Sequence, residues 1–217
     1  IRNVALLGHQ GSGKTSLVNL ITRFYDATEG DVFVNDINVK EYDLNALRED
    51  IVTMVLQKAE LFSGTIKDNI GWGKKDASME EIIEASKIAQ AHDFISGFEN
   101  GYDTIVAEKG ASLSGGQKQR ISIARALIRK PEILIFDDST SALDLKTEAN
   151  LYKDLNEKMS DTTVIIIAQR VASVRNADKI LIINDGIIEA FGPHEELINT
   201  SETYIEIYNS QLKRGDD

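Results

Sequence analysis

The chain of 217 residues carries a formal net charge of −11, with 42% hydrophobic and 27% charged residues, two prolines and no cysteine. A chain of this size and balance builds one packed core, with room for an insertion, and is neither a disordered segment nor a repeat array. The acidic charge argues against nonspecific binding to nucleic acid or to an anionic membrane surface, and the missing thiols exclude disulfides and cysteine-held metals.

In chain order, Val4-Ala5-Leu6-Leu7 predicts a short buried strand that runs directly into Gly8-His9-Gln10-Gly11-Ser12-Gly13-Lys14-Thr15. The eight residues fit G-x-x-x-x-G-K-[ST] at every fixed position, a match expected by chance in about one per cent of chains this long. Glycines 8, 11 and 13 let the backbone fold into a nest of amides around a triphosphate, Lys14 adds a point charge, and Thr15 offers a hydroxyl to Mg²⁺. Leu17, Val18, Leu20 and Ile21 then recur at helical spacing, so the loop opens a helix whose N-terminus favours anions. Asp31 to Val34 and Ile51 to Leu56 predict strands, the second ending at Gln57.

From Thr65 to about Lys130 the pattern turns helical: Met79, Ile82, Ile83, Ser86 and Ala89 keep a 3.6-residue period, and the run Ile121 to Ile128 follows Gly115 and Gly116. Ile133-Leu134-Ile135-Phe136 is a continuous apolar run stopped by Asp137-Asp138, a strand buried on both faces with carboxylates at its C-terminal end. A helix follows over about Leu143 to Met159, then strands at Thr163 to Ala168 and Lys179 to Asn184, an outer strand after Gly186, and a helical tail from about His194. Strands alternating with helices predict an α/β fold with a mostly parallel sheet, in which ligands gather at strand C-terminal ends. The chain starts in the first strand without Met or a leader pattern and reads as an excised piece of a longer protein.

Four segments together carry a resemblance: Leu113 to Gln117 reading LSGGQ, Gln57, Ile133 to Asp138, and Ser141-Ala142-Leu143-Asp144. They are similar to the nucleotide-binding domain of an ATP-binding cassette (ABC) transporter, and the likeness covers nearly the whole chain. Leu61 to Ile66, Glu108, and Gly192-Pro193-His194-Glu195-Glu196-Leu197 resemble the exporter branch. The resemblance implies a RecA-like P-loop core at 1–64 and 129–217 with an inserted helical subdomain at 65–128, the adenine-stacking strand and a transmembrane domain lying outside this piece. It implies that Gly8 to Ser16 hold the ATP phosphates and that Thr15, Gln57 and Asp137 address Mg²⁺. Ser114, Gly115, Gly116 and Gln117 would contact an ATP held by a second such domain, with Ser141 to Asp144 along the contact. The partners implied are that second domain and a transmembrane part, which places the chain at the cytoplasmic face of a membrane.

Two positions depart from the family pattern. The glutamate that serves as general base is replaced by Asp138, one methylene shorter, and the histidine that contacts the γ-phosphate is replaced by Gln169, which neither carries charge nor titrates. Both changes fall on the chemical step while the binding segments are intact. They predict a weakened site in one subunit of a heterodimeric exporter; the alternatives are an active homodimeric ATPase and a module that binds ATP for regulation only. A DNA-maintenance or translation ATPase is disfavoured by the short span between the phosphate loop and LSGGQ and by the acidic charge. His9, His92 and His194 show no metal-ligand spacing, and Tyr25 and Trp72 read as packing or surface aromatics.

Overall fold

The structure, a computed structural model, describes residues 3–9, 11–106 and 112–212. Gln10 and Glu108 lie outside the described residues. In chain order the elements are β1 (Asn3–Leu7), α1 (Lys14–Ile21), β2 (Phe33–Val34), β3 (Ile37–Asn38), α2 (Leu44–Ala46), β4 (Val52–Val55), β5 (Gly64–Thr65) and α3 (Ile66–Gly71). There follow α4 (Met79–Ile88), α5 (His92–Ser96), β6 (Ile105–Val106), α6 (Gly115–Leu127), β7 (Ile133–Asp137), α7 (Leu145–Lys158) and β8 (Thr163–Ile167). The C-terminal part holds α8 (Val171–Val174), β9 (Lys179–Asn184), β10 (Ile187–Gly192), α9 (His194–Thr200) and α10 (Glu202–Leu212).

The chain divides into two compact units: Ile1–Val52, Ile133–Asp138 and Thr163–Asp217 in the first, Thr53–Glu132 and Ser139–Thr162 in the second. The first unit is built on strands in the order β10-β9-β1-β8-β7. β1 pairs in parallel with β8 and β9, and β8 pairs in parallel with β7 in the register Ile133↔Thr163 to Asp137↔Ile167. These strands are continuous Ile, Leu and Val runs because both faces are covered, and Leu134, Ile135 and Phe136 are fully buried. Burying each of those three side chains contributes about 1.5–3 kcal/mol. The outer strand β10 runs antiparallel to β9, through a turn in which Asp185 and Gly186 both take positive φ. That turn matches the right-handed twist of the flanking strands, and the Asp-Gly pair announces it. Asn35 and Asp36, also at positive φ, close the β2–β3 hairpin, which the sequence reading gave as a single strand.

In the second unit α3 and α4 pack on α6 through Ile66, Ile70, Ile82, Ile121 and Leu127, all buried. Gly73 lets the chain leave α3 beside α6, since a Cβ there would lie 2.0 Å from the Arg125 carbonyl oxygen. The Arg125 guanidinium donates to the Asn69 carbonyl at 2.8 Å, the Asn69 side-chain oxygen at 2.9 Å and the Glu60 carbonyl at 3.0 Å, and lies over the Phe62 ring. Burial lowers its pKa, so these donors offset the lost hydration. Among the described residues, no helix is long and apolar enough to cross a membrane.

Candidate nucleotide site

The phosphate loop leaves the C-terminal end of β1 at Gly8. A side chain is impossible there: a Cβ would lie 2.1 Å from the Ile183 carbonyl oxygen on β9 and 2.8 Å from Ser12 Oγ. Gly11 (φ 83°) and Gly13 (φ 100°) sit in the left-handed region, and Gly13 stands at the N-cap of α1 with no side chain occupying the first-turn amides. Those amides and the helix dipole converge where an anion is favoured. The Gly186 amide, in the β9–β10 turn, donates to the Ser12 carbonyl at 3.0 Å and ties the loop to the sheet.

Lys14 is only 8% exposed, and its ammonium has three protons to place. It donates to the Gly8 and His9 carbonyls, each at 2.8 Å, and to Ser12 Oγ at 3.1 Å. Burial lowers its pKa while Asp138 and Asp137 hold it up. His9, Thr15 and Ser16 are exposed at the rim of the same loop and first turn.

Asp137 ends β7 and is 9% exposed. Thr15 Oγ1 donates to its Oδ1 at 3.0 Å across 122 residues of sequence, which confirms that the loop and the strand end meet. Burial pushes the Asp137 carboxyl up from the usual range, Asp138 pushes the same way, and the Thr15 hydroxyl and Lys14 oppose them. One hydroxyl oxygen and one carboxylate oxygen in contact form a hard donor set that fits Mg²⁺, and these two residues would hold it.

Asp138 takes φ 49°, its amide donating to the Ile167 carbonyl at 3.0 Å. Its Oδ2 accepts from Gln169 Nε2 at 2.8 Å, so the two residues that depart from the family pattern are bonded to each other. The first unit therefore brings together Gly8, Gly13, Lys14, Thr15, Asp137, Asp138 and Gln169.

The second unit assembles the remaining named residues. Gln57 and Gly115 line one cavity of about 470 Å³ with Lys118, Gln119 and Ala142. Ser114 caps α6: its hydroxyl accepts from the Gln117 amide at 3.2 Å while Gln117 Oε1 accepts from the Ser114 amide at 2.9 Å. This reciprocal pair satisfies two otherwise orphaned donors and leaves Gly115 and Gly116 as a bare backbone edge. A Cβ on Gly116 would come within 3.1 Å of the Ala142 carbonyl oxygen, so that glycine permits α6 to lie against the segment after β7. Sequence reasoning missed Gln119, whose Nε2 donates to the Leu56 carbonyl at 3.2 Å and fixes the backbone just before Gln57. No local sequence signal marks that contact, which joins residues 63 positions apart.

Residues 2–141 match the family model described as ABC transporter. The chain belongs to the ABC transporter family. It is 48% identical over 97% of its length to an uncharacterised ABC transporter ATP-binding protein, YfiB, of Bacillus subtilis, and 44% identical over 97% to an ATP-dependent lipid A-core flippase of Haemophilus influenzae. In each case the match spans 36% of the relative, so the chain corresponds to about a third of those proteins. Among solved structures, a bacterial Atm1-family ABC exporter with ATP bound superposes with a TM-score of 0.93 at 37% identity, over 97% of this chain and 37% of that one. The α/β fold with its mostly parallel sheet is thus that of an ABC transporter ATP-binding domain, like the one in that exporter.

Proposed function

We propose that this chain binds Mg-ATP and powers an ABC exporter by ATP-dependent pairing with a second nucleotide-binding domain, while hydrolysing slowly at its own site. Gly8 to Ser16 hold the phosphates, with Lys14 turning from the Gly8 and His9 carbonyls toward the anion; Thr15, Asp137 and Gln57 address the cation. The LSGGQ segment, Ser114 to Gln117 within the helical subdomain 65–128, serves the ATP of the partner. A non-identical partner subunit, an attached transmembrane domain and a position at the cytoplasmic face of the membrane follow from that reading.

The observation that carries it is the Asp138 to Gln169 hydrogen bond at 2.8 Å. A carboxylate shortened by one methylene falls about 1 Å short of a water it must deprotonate, and such displacement costs up to roughly 10²-fold in rate. Gln169 donates to that carboxylate but supplies no positive charge to a γ-phosphate. Every binding feature of the loop is intact beside them.

The test uses the full-length protein expressed by itself. Asp138→Glu combined with Gln169→His is expected to raise steady-state ATPase at least tenfold with Mg-ATP affinity unchanged within about twofold. Turnover by the unaltered protein at the roughly 1–10³ s⁻¹ usual for enzymes, with no gain from the double variant, sinks the weakened-site reading and leaves a fully active homodimeric ATPase.

A further inference from the structure

Helix α8 begins immediately after the Gln169-Arg170 loop, and Arg170 stands at its N-cap with no side-chain cap bond. The first helical amides of such a turn need acceptors, which Ser, Thr, Asp or Asn ordinarily supply locally. Here the acceptor comes from 40 residues away: Gln211 Oε1, near the end of α10, accepts from the Val171 amide at 2.8 Å. The other half of the same carboxamide donates, Nε2 to the Gln169 carbonyl at 2.7 Å. One planar group thus grips the backbone on both sides of Arg170. Gln169 is itself exposed, so the neighbouring side chains do not enclose it. Its Nε2 nevertheless reaches Asp138 Oδ2 at 2.8 Å, giving a continuous line from α10 to the strand end of β7.

We propose that Gln211 is a positioning residue for the hydrolytic end of the site, its carboxamide clamping the backbone around Arg170 so that residue 169 is directed toward Asp138. Helix α10 then sets the geometry of residue 169 through these two bonds, while the phosphate loop is tied to β9 and to Gly186 by contacts of its own. The inference rests on the reading that Asp138 and Gln169 face the γ-phosphate. Because the clamp holds the backbone of residue 169, it survives Gln169→His.

Two substitutions separate positioning from simple support of α8. Gln211→Leu removes both bonds. Gln211→Glu keeps an acceptor for the Val171 amide but sets a carboxylate oxygen against the Gln169 carbonyl. Each is placed in the full-length protein, in the unaltered background and with Asp138→Glu and Gln169→His, and single-turnover hydrolysis, Mg-ATP affinity and Tm are measured. Gln211→Leu is expected to slow hydrolysis about tenfold, short of the roughly 10²-fold cost of a full 1 Å misplacement, with affinity held within about twofold. Gln211→Glu is expected to keep Tm close to the unaltered protein and still slow hydrolysis severalfold. An unchanged rate in Gln211→Leu, a rate fully restored in Gln211→Glu, or a loss of affinity in step with the rate each overturns the proposal. Failure of the weakened-site reading shows separately, as no gain from the Asp138 and Gln169 changes alone, and the Gln211 comparison is then read in the unaltered background.

Discussion

Asp137 is held where water is scarce, and that choice costs the fold something. Its carboxyl is pushed up by burial, so its contribution to folding is present below the usual carboxylate range and is lost as pH rises through the folded-state value. At neutral pH the ionised group is a net burden on the fold, relieved in part by Thr15 and Lys14. Asp137→Asn keeps an acceptor for the Thr15 hydroxyl and removes the buried charge. The variant is expected to melt at a higher temperature than the unaltered protein without nucleotide, and to lose any Mg²⁺-dependent increase in Tm; thermal melts with and without Mg²⁺ check both. The local chemistry of this site was legible because it is written in contiguous residues: glycines, a lysine and a hydroxyl in one loop, two carboxylates at one strand end. The Asp138 to Gln169 bond was not, because it joins side chains 31 positions apart whose meeting depends on the β7–β8 register.

At the level of elements, Ser114 at the N-cap of α6 joins an observed structural role to a proposed one. Ser114 closes a capping box that starts the helix, and replacing such a cap by alanine costs about 1 kcal/mol. Ser114→Ala is therefore expected to lower Tm by roughly 2–4 °C, the shift such a loss makes in a chain of this size. Ser114→Asp retains a capping oxygen and is expected to keep Tm, while putting a negative charge where the proposed function places a partner's phosphates. Melting curves and ATPase rates of the two variants divide the cap from the ligand contact. The start of α6 at Gly115, six residues before the Ile121 run, is readable from Ser114 and Gln117 as a cap with its reciprocal partner three residues on. The Gln119 and Gln211 clamps leave no such local mark, since a glutamine on a helix face gives no sign of which distant carbonyl it will meet.

For the molecule as a whole, folding and nucleotide binding are linked by mass action. Mg-ATP at about 100 times its dissociation constant adds about 2.7 kcal/mol to apparent stability, equivalent to roughly 5–10 °C in Tm for a chain of this length. That rise is expected in the unaltered protein and in the Asp138→Glu, Gln169→His variant alike, and is expected to vanish in Lys14→Ala; differential scanning fluorimetry across an ATP series measures it. The overall α/β plan was legible from five apolar runs and the helices between them, because doubly covered strands leave long uninterrupted hydrophobic stretches. The direction of β10 and the β2–β3 hairpin escaped that pattern, although the Asp185-Gly186 and Asn35-Asp36 turns carried the information.

The left-handed backbone at Asp138 bears on what a glutamate there would cost the fold. Aspartate is several-fold enriched in that conformation because its short side chain bonds locally, whereas a longer acid gains nothing there. By the ratio of those preferences, Asp138→Glu carries a cost of about 0.5 kcal/mol in folding. On the proposed function, turnover gained by that change is therefore set against a small standing cost in folding, read as a lower Tm beside a higher rate.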